Sequence, residues 1–424
     1  MDGIATRATD LVSQRLFSTG AAEVVDPGED FSGEGGDDEA LRASLSAADV
    51  DLLVRGAYFV EGTNLQLGAR VTDARTGELV FVVPDIGAMK EAPADGLEEL
   101  AQRVAGGLAV RVDNPFRNPY GGVPPTYEAF AEYRLGLEYV LDGRIQQAVP
   151  QLIRAEQLDP AFLRPRIWKA WFILASTNDA SVVSALDSLR PRLDEWERLA
   201  VDAMLAGAEG NVEKQLGIYT RMHETWPEDI NGGLLLMNTL RDVNRPRQAL
   251  QVYLNLDIPV ELRRRAFIAL ANLREVGNLF HAVGDYEGEL RFRQELVGHF
   301  PDSPFLHMDV CWPHATLGEL DEVKEIVARS IGLSSVSQGQ LDWNVWVTCG
   351  ILRAHGHEPE AKELARWYID QRLGISRPGK DEEASGFEFL KNNHALLLIH
   401  AGELEEARAL LTEALEEKIQ PEVV

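Results

Sequence analysis

Cysteine is scarce in this chain of 424 residues, which contains only Cys311 and Cys349. Two thiols exclude a disulfide framework and a four-thiolate metal site. Metal ligands are otherwise suggested only by the tripeptide HGH at 355–357 and by Cys311 with His314. The glycine of the tripeptide suits a turn, and the second pair lacks further ligands nearby, so we interpret both as structural. We expect no metal and no cofactor.

Positive charge is also scarce, because 41 Lys and Arg stand against 68 Asp and Glu and give a formal net charge of −27. The negative electrostatic field of a protein with this charge repels phosphate backbones and anionic lipid headgroups. It argues against nucleic acid as a direct partner and favours a basic protein or peptide. An acidic exterior that serves only solubility is the commoner explanation of such a charge.

Long apolar runs are missing as well. None reaches the roughly 18 to 20 residues that a membrane-spanning helix needs, and the opening MDGIATRATD lacks the basic start and apolar core of a signal peptide. We expect no membrane segment in this chain and a cytoplasmic location as written. An extracytoplasmic origin is the alternative if the chain is a fragment of a membrane receptor.

Catalytic signatures are lacking too. Adjacent carboxylate residues occur at 98–99, 382–383 and 405–406. On a helix the two side chains of such a pair point about 100° apart, so they cannot act together in one catalytic site. Solvated helix faces explain them better. No Gly-rich phosphate loop and no kinase catalytic motif is found. The sequence therefore predicts a protein that is not an enzyme.

The first quarter of the chain predicts a small region of mixed structure. Residues 3–17 have the apolar face of an amphipathic helix, and three alternating segments at 51–60, 64–72 and 79–83 predict an antiparallel meander. The apolar stripe of 94–110 predicts a helix that covers one face of this sheet. The segment DNPFRNPYGGVPP, rich in proline and glycine, predicts an interdomain linker. The expected organisation is an α/β domain at 1–112, a linker at 113–126 and helical repeats at 127–424.

A repeated unit fills the rest of the chain, and its clearest copy is 129–162. In that copy a first helix with Gly136 is followed by a turn at Gly143, a second helix with Ala148 and Ala155, and a closing Pro160. The pattern resembles the tetratricopeptide repeat. Further copies, of which 163–195 and 230–269 are the weakest, lie at 163–195, 196–229, 230–269, 271–303, 305–337, 342–375 and 388–421.

The resemblance implies about eight helix pairs that stack side by side, because one pair cannot bury its own apolar face. The predicted fold class is therefore mainly α, a tetratricopeptide-type α-solenoid preceded by a small α/β domain. An irregular all-helical bundle is the alternative. Cys311 and Cys349 both fall at a position where the repeat needs a small side chain, and a thiol serves there as a compact apolar filler.

The region at about 2–113 has its own resemblance. The segments TRATDLVSQRLFSTGAAEVVD and LLVRGAYFVEGTNLQLGARVTDARTGELVF look like the TolB-like domain that precedes tetratricopeptide repeats in the C-terminal input half of bacterial Ser/Thr kinases and adenylate cyclases. The resemblance implies a sensory or interaction module of a signalling system. Relatives begin with a strand before the first helix, whereas this chain starts at the helix, so we expect a fragment or a lost strand. The catalytic half of those relatives is not found here.

Residues on the inner face of the first helices give a candidate peptide-binding groove. Aromatic and cationic side chains there combine large contact area with directed hydrogen bonds. Packing between repeats is the alternative role for each of them, since a shift of one residue exchanges the two faces. The candidate residues are Arg274, Asn278, His281, Met308, Trp312, Trp343, Trp346, Arg353 and Asn392.

Arg274 and Asn278 resemble the start of the carboxylate clamp of some tetratricopeptide proteins, but Asp309 stands where the clamp needs an amide or a cation. The function predicted from the sequence is a non-catalytic scaffold that binds a protein or peptide. A structural or self-assembling repeat protein without a specific ligand is the alternative, and self-association is left open.

Overall fold

The computed structural model describes residues 2–20, 22–25, 50–177, 179, 181–265, 272–301, 303–331, 338–373 and 387–419, with only the backbone for several residues near the gaps, among them 387–393. The chain divides into two compact units, residues 1–267 and residues 268–424. Throughout the described ranges, no helix is long and apolar enough to cross a membrane.

The first unit opens with helix α1 (Asp2–Thr19) and a sheet of three antiparallel strands in the order β1-β2-β3. The strands are β1 (Leu52–Glu61), β2 (Asn64–Asp73) and β3 (Leu79–Met89). Alternate residues of β2, such as Leu65 and Val71, are completely buried, so one face of the sheet belongs to the core, as predicted. β3 continues past Pro84, where the sequence predicted its end, because an edge strand with a register shift tolerates proline.

Helix α2 (Ala94–Val112) covers the buried face of the sheet together with α1. It also lies against residues 113–126, the segment expected to be a linker. A Cβ atom at Gly106 would come within 2.1 Å of the Pro125 carbonyl oxygen, so only glycine allows this approach. Phe116 is completely buried, and the Asn118 amide donates a 2.6 Å hydrogen bond to Asp229. This segment is thus packed and hydrogen-bonded within the first unit.

The remainder of the first unit is a series of helix pairs. Thr126, Asp194, Asn211 and Asp229 cap helices with their side-chain oxygens, which explains why these helices begin where they do. The helices are α3 (Tyr127–Leu141), α4 (Ile145–Leu158), α5 (Arg164–Thr177), α6 (Ser181–Ser184), α7 (Glu195–Ala208), α8 (Val212–Thr225), α9 (Ile230–Asp242), α10 (Pro246–Asn255) and α11 (Val260–Arg263). A 3-10 helix at Ala185–Arg192 follows α6, so the second member of this pair is short.

The second unit continues the same arrangement. Its helices are α12 (Arg274–Val283), α13 (Tyr286–His299), α14 (Pro304–Asp309), α15 (Cys311–Leu317), α16 (Leu320–Ile331), α17 (Gln338–Ala354), α18 (Glu358–Leu373), α19 (Phe387–Ala401) and α20 (Leu404–Ile419). Its core contains both thiols, and burial raises the pKa of Cys349 to about 12. Cys311 is also completely buried. Both cysteines therefore pack as apolar side chains.

The turns show that the pairs are repeats of one structural unit. In seven of the eight helix pairs of the described part, a residue with φ between 58° and 87° ends the first helix. The next residue donates its N–H to a carbonyl five positions back, at 2.8 to 3.0 Å, which closes the helix end. Six of these residues are glycine and the seventh is Asn244, the other residue type that tolerates this conformation. The prediction of a mainly helical, repeated chain is confirmed.

Candidate functional site

Four of the predicted groove residues meet in one hydrogen-bonded and aromatic cluster of the second unit, which we call the Trp312 cluster. Arg274 on α12 binds Asp309, at the end of α14, with both arms of its guanidinium, at 2.5 Å from Nε to Oδ2 and 2.8 Å from Nη2 to Oδ1. These hydrogen bonds raise the pKa of Arg274 above its ordinary value. A carboxylate clamp would leave such a cation free for the carboxylate of a ligand. Here the internal carboxylate of Asp309 already pairs with it.

A second arginine, which the sequence analysis did not select, joins this pair to the other predicted residues. Arg293 of α13 is almost completely buried and donates to Glu289 at 2.8 Å and to the Asn278 amide oxygen at 2.9 Å. Glu289 in turn lies 2.9 Å from the His281 ring nitrogen Nδ1. Since buried charges need partners, each group in this series of hydrogen bonds holds the next group in place.

Trp312, at the start of α15, lies against both guanidinium groups. The Cζ atom of Arg293 is 4.7 Å from the centre of its ring and the Cζ atom of Arg274 is 5.9 Å from it. The ring centre of Phe305 is 6.0 Å from Arg274 Cζ, and this residue is 37% exposed. The cluster thus presents an aromatic surface whose orientation is set by buried ion pairs.

The remaining candidates lie apart from this network. Trp343 and Trp346 of α17 are half-buried, and Trp346 packs against the core of the second unit. Arg353 near the end of α17 is exposed and lies 3.6 Å from Glu358. His355, just beyond this helix, reaches the cluster, with its ring centre 5.4 Å from that of His281.

One candidate is buried, and the side chain of another lies outside the described residues. The first helix of this pair is interrupted at Val310, and Met308, predicted on the inner face, is completely buried in the core. We leave it out of the candidate groove. The side chain of Asn392 lies outside the described residues, although its backbone belongs to α19.

The sequence analysis missed Arg293 and Glu289 because it examined only first helices for ligand-facing side chains. A usable signal was present: Gly277, at a small position of the repeat, faces the second helix and leaves room there for a large side chain. Among the described residues, no group of three or more His, Cys, Asp or Glu side chains is placed to hold a metal ion.

Repeated helix pairs that end their first helices in the same left-handed turn define the chain as a helical-repeat protein. No family model matches the sequence, and no curated protein matches it. Among solved structures it is similar to a tetratricopeptide repeat protein from Parabacteroides merdae, with 14% identity over 64% of this chain and 99% of that chain and a TM-score of 0.34. That likeness is distant, and the repeat description stands on the helix pairs and turns themselves.

Proposed function

We propose that this protein is a non-catalytic scaffold that binds a protein or peptide segment through tetratricopeptide-type helix pairs. Small residues at the crossings of paired helices support this repeat type. A Cβ atom at Gly136 of α3 would come within 3.0 Å of Leu152 of α4, and Ala203 and Cys311 are completely buried at equivalent crossings. Helices approach this closely only where side chains are small.

The observation that carries the binding function is the half-buried Trp312, whose ring centre lies 4.7 Å from the Cζ atom of Arg293 and 5.9 Å from that of Arg274. Side chains that bind partners most strongly are aromatic or arginine, and they are fixed before the partner arrives. The indole is fixed here, because Arg293 beneath it is bound to Glu289 and Asn278. Phe305 extends the exposed part of the same surface.

Charge supports a basic partner for this surface. Residues 268–424 contain 14 Lys and Arg against 27 Asp and Glu, so a cationic peptide is attracted to the second unit. We further propose that α1, α2 and the sheet form a TolB-like domain, and that recognition by the repeats is relayed to a bacterial signalling module.

The test begins with selection of random twelve-residue peptides, displayed on phage, against the whole chain. Selected peptides are synthesised, and their affinity is measured by fluorescence anisotropy for the wild type, Trp312→Ala and Arg353→Ala. Matched controls are Trp367→Ala and Arg366→Ala, because both residues lie on the second helix α18. We expect Trp312→Ala to weaken binding at least tenfold and Trp367→Ala to leave it unchanged. Failure to enrich any common sequence, or equal affinity for all variants, would contradict the proposal.

Self-assembly is the second candidate function, and exposed leucines on α20 favour it. Leu404 and Leu415 are 61% and 60% exposed and Leu411 is 36% exposed. Their spacing places them along one stripe of the helix. Sedimentation velocity over a range of concentrations tests this alternative: a single species that does not change on Leu415→Lys substitution would exclude assembly through this stripe.

A further inference from the structure

One edge of the three-stranded sheet is a long, regular and exposed strand. β1 has 10 residues and pairs with β2 along one side in an unbroken register. Residues 55–59 are all exposed, and no strand of the described part of the chain pairs with the other side of β1. The opposite edge strand, β3, contains Pro84 and two register shifts, which are features that prevent edge pairing. β1 has no proline, lysine or bulge, so it is open to another strand.

The ladder between β1 and β2 identifies the backbone groups of this open edge. The N–H of Ala74 donates a 2.8 Å hydrogen bond to the carbonyl oxygen of Asp51, which continues the register of the two strands. In an antiparallel pair, successive residues direct their N–H and C=O groups alternately toward the neighbouring strand and away from it. Asp51 and every second residue after it therefore bond to β2. The residues between them direct their backbone groups to the open edge, namely Val54, Gly56, Tyr58 and Val60.

Side chains at this edge are apolar on both faces of the sheet. Tyr58 lies opposite buried Leu67, on the face that the helices cover, but is 37% exposed, so the helices leave this part of the edge open. Phe59 on the outer face is 62% exposed. Arg55 on the outer face lies directly opposite Arg70 of β2, and like charges in such a pair repel each other. A fitting strand brings apolar side chains to both faces and an aromatic ring or a carboxylate to Arg55.

A second copy of β1 meets these requirements. When two identical strands pair antiparallel about a two-fold axis at Ala57, Gly56 lies opposite Tyr58 of the second copy. The tyrosine ring then covers the bare backbone of the glycine, a pairing that stabilises edge strands. In the same register Arg55 lies opposite Phe59 of the second copy, whose ring attracts the guanidinium.

The neighbouring registers are less favourable. An axis one residue earlier places Asp51 opposite Glu61 of the second copy, and these like charges repel each other. An axis one residue later pairs only residues 55–61, because β1 ends at Glu61. The favoured axis pairs residues 53–61 and makes Glu61 of the second copy a diagonal neighbour of Arg55. Charge and strand length therefore select the same register.

We propose that this protein forms a symmetric dimer in which two β1 strands pair antiparallel around Ala57 and join the two sheets into one. Each copy donates the backbone N–H groups of Val54, Gly56, Tyr58 and Val60 to carbonyl oxygens of the other copy. The interface uses neither the Trp312 cluster nor the leucine stripe of α20, so it goes beyond both functions proposed above.

Sedimentation velocity of the whole chain between about 1 µM and about 500 µM measures the dimer, and engineered thiols test its register. Directly opposite residues of a pair without hydrogen bonds have Cα atoms about 4.5 Å apart, which a disulfide spans. We expect Ala57→Cys to form a disulfide-linked dimer under mild oxidation. A mixture of Arg55→Cys and Phe59→Cys is expected to form mixed dimers faster than either variant alone crosslinks. The controls are the wild type, whose two thiols are buried, and Val82→Cys on β3, where Val82 is 43% exposed.

Substitutions at Tyr58 separate backbone pairing from side-chain contact. Tyr58→Pro removes an N–H that is directed away from β2, so we expect it to weaken the dimer by at least about tenfold while the ladder with β2 remains. Tyr58→Ala keeps the N–H and loses only the ring over Gly56, so its effect is expected to be smaller. Circular dichroism during thermal unfolding verifies that both variants fold. Leu415→Lys on α20 is expected to leave the dimer unchanged.

The outcomes distinguish this interface from the others. A wild type that is monomeric over the whole concentration range would overturn the proposal, as would crosslinking of Ala57→Cys no faster than that of Val82→Cys. A folded Tyr58→Pro protein that dimerises like the wild type would exclude pairing through the backbone of β1. Dissociation of the dimer by Leu415→Lys would assign it to the leucine stripe of α20 instead.

Discussion

Gly277 lies directly against the guanidinium of Arg293: a Cβ atom at residue 277 would come within 2.7 Å of Arg293 Cζ. The arginine is 2% exposed and its neighbour Glu289 is completely buried. The absence of a side chain on α12 is therefore what admits a buried ion pair from α13. One backbone position thus determines whether the Trp312 cluster forms.

Replacement of Gly277 by Ala is expected to destabilise the second unit. The added methyl group displaces the guanidinium from Glu289 and Asn278, and overpacking of this kind costs about 1 to 3 kcal/mol. The free energy of unfolding in urea measures the loss. Gly298→Ala is the control, because no atom lies within 4 Å of its Cβ position in α13 and alanine favours the helix by up to about 1 kcal/mol. Equal stability of Gly277→Ala and the wild type would show that Arg293 moves freely.

The turn at Gly284 gives a second prediction. Its φ of 82° lies in the left-handed region and no neighbouring atom opposes a Cβ there, so a substitution tests backbone conformation alone. We expect Gly284→Ala to cost about 1 to 2 kcal/mol in free energy of unfolding. Gly284→Asn is expected to cost less, since Asn244 occupies the equivalent turn of another pair. Equal losses for the two variants would contradict a conformational cause.

The repeats could be predicted from the sequence because their signals are local. A residue that must adopt positive φ recurs in the turn of nearly every described pair, and the small residues before it mark where helices cross. The pair that begins at Arg164 matches the repeat pattern poorly in the sequence because it lacks these local signals. Its described part has no glycine in the turn, and α5 is followed by the short helix α6 and a 3-10 helix.

The candidate site was only partly predictable, because partners from different helices decide it. The charge of Asp309 argues against a clamp, but no local pattern indicates that this carboxylate binds Arg274, 35 residues earlier in the chain. The repeat register predicts Met308 on the inner face, whereas it is completely buried next to the interruption between α14 and α15. Segment 113–126 has the composition of a linker, but Phe116 and Asn118 anchor it through contacts that no local pattern encodes.

Arg164 gives a third prediction, because it joins three parts of the first unit. It lies 3.0 Å from Glu197, 3.3 Å from Asp194 and also donates to the carbonyl oxygen of Pro119. Arg164→Met leaves a buried carboxylate without its cation, which costs about 3 to 5 kcal/mol. Thermal and urea unfolding of the first unit measure the loss.

A double variant and a surface control test the cause of this loss. Arg164→Met combined with Glu197→Gln is expected to recover part of the stability, because the uncompensated charge is removed with its partner. Arg221→Met breaks an exposed ion pair with Glu195 and is expected to change stability little. If the double variant is no more stable than Arg164→Met, loss of packing rather than loss of charge pairing is the cause.

Histidines of the second unit predict that it loses stability in mild acid. The pKa of His355 is lowered by burial and by electrostatic interaction with His281 and His357, while Glu289 opposes this shift and Tyr286 packs against the ring. Burial, with a contribution from Arg353, also lowers the pKa of His400. A histidine with a lower pKa in the folded state takes up its proton more readily when unfolded. Stability is therefore complete above the unfolded pKa of about 6.5 and is lost as the pH falls through it toward the folded pKa.

The urea midpoint of the second-unit transition, compared between about pH 7.5 and about pH 5.5, measures this loss. We expect the decrease to be smaller in His355→Gln and in His400→Gln than in the wild type, because neither variant has the proton uptake that favours unfolding. His307→Gln controls for the removal of a half-buried histidine on α14. A decrease that is the same in all four proteins would assign the acid sensitivity to carboxylates instead, and a midpoint that rises in acid would reverse the sign predicted from His355 and His400.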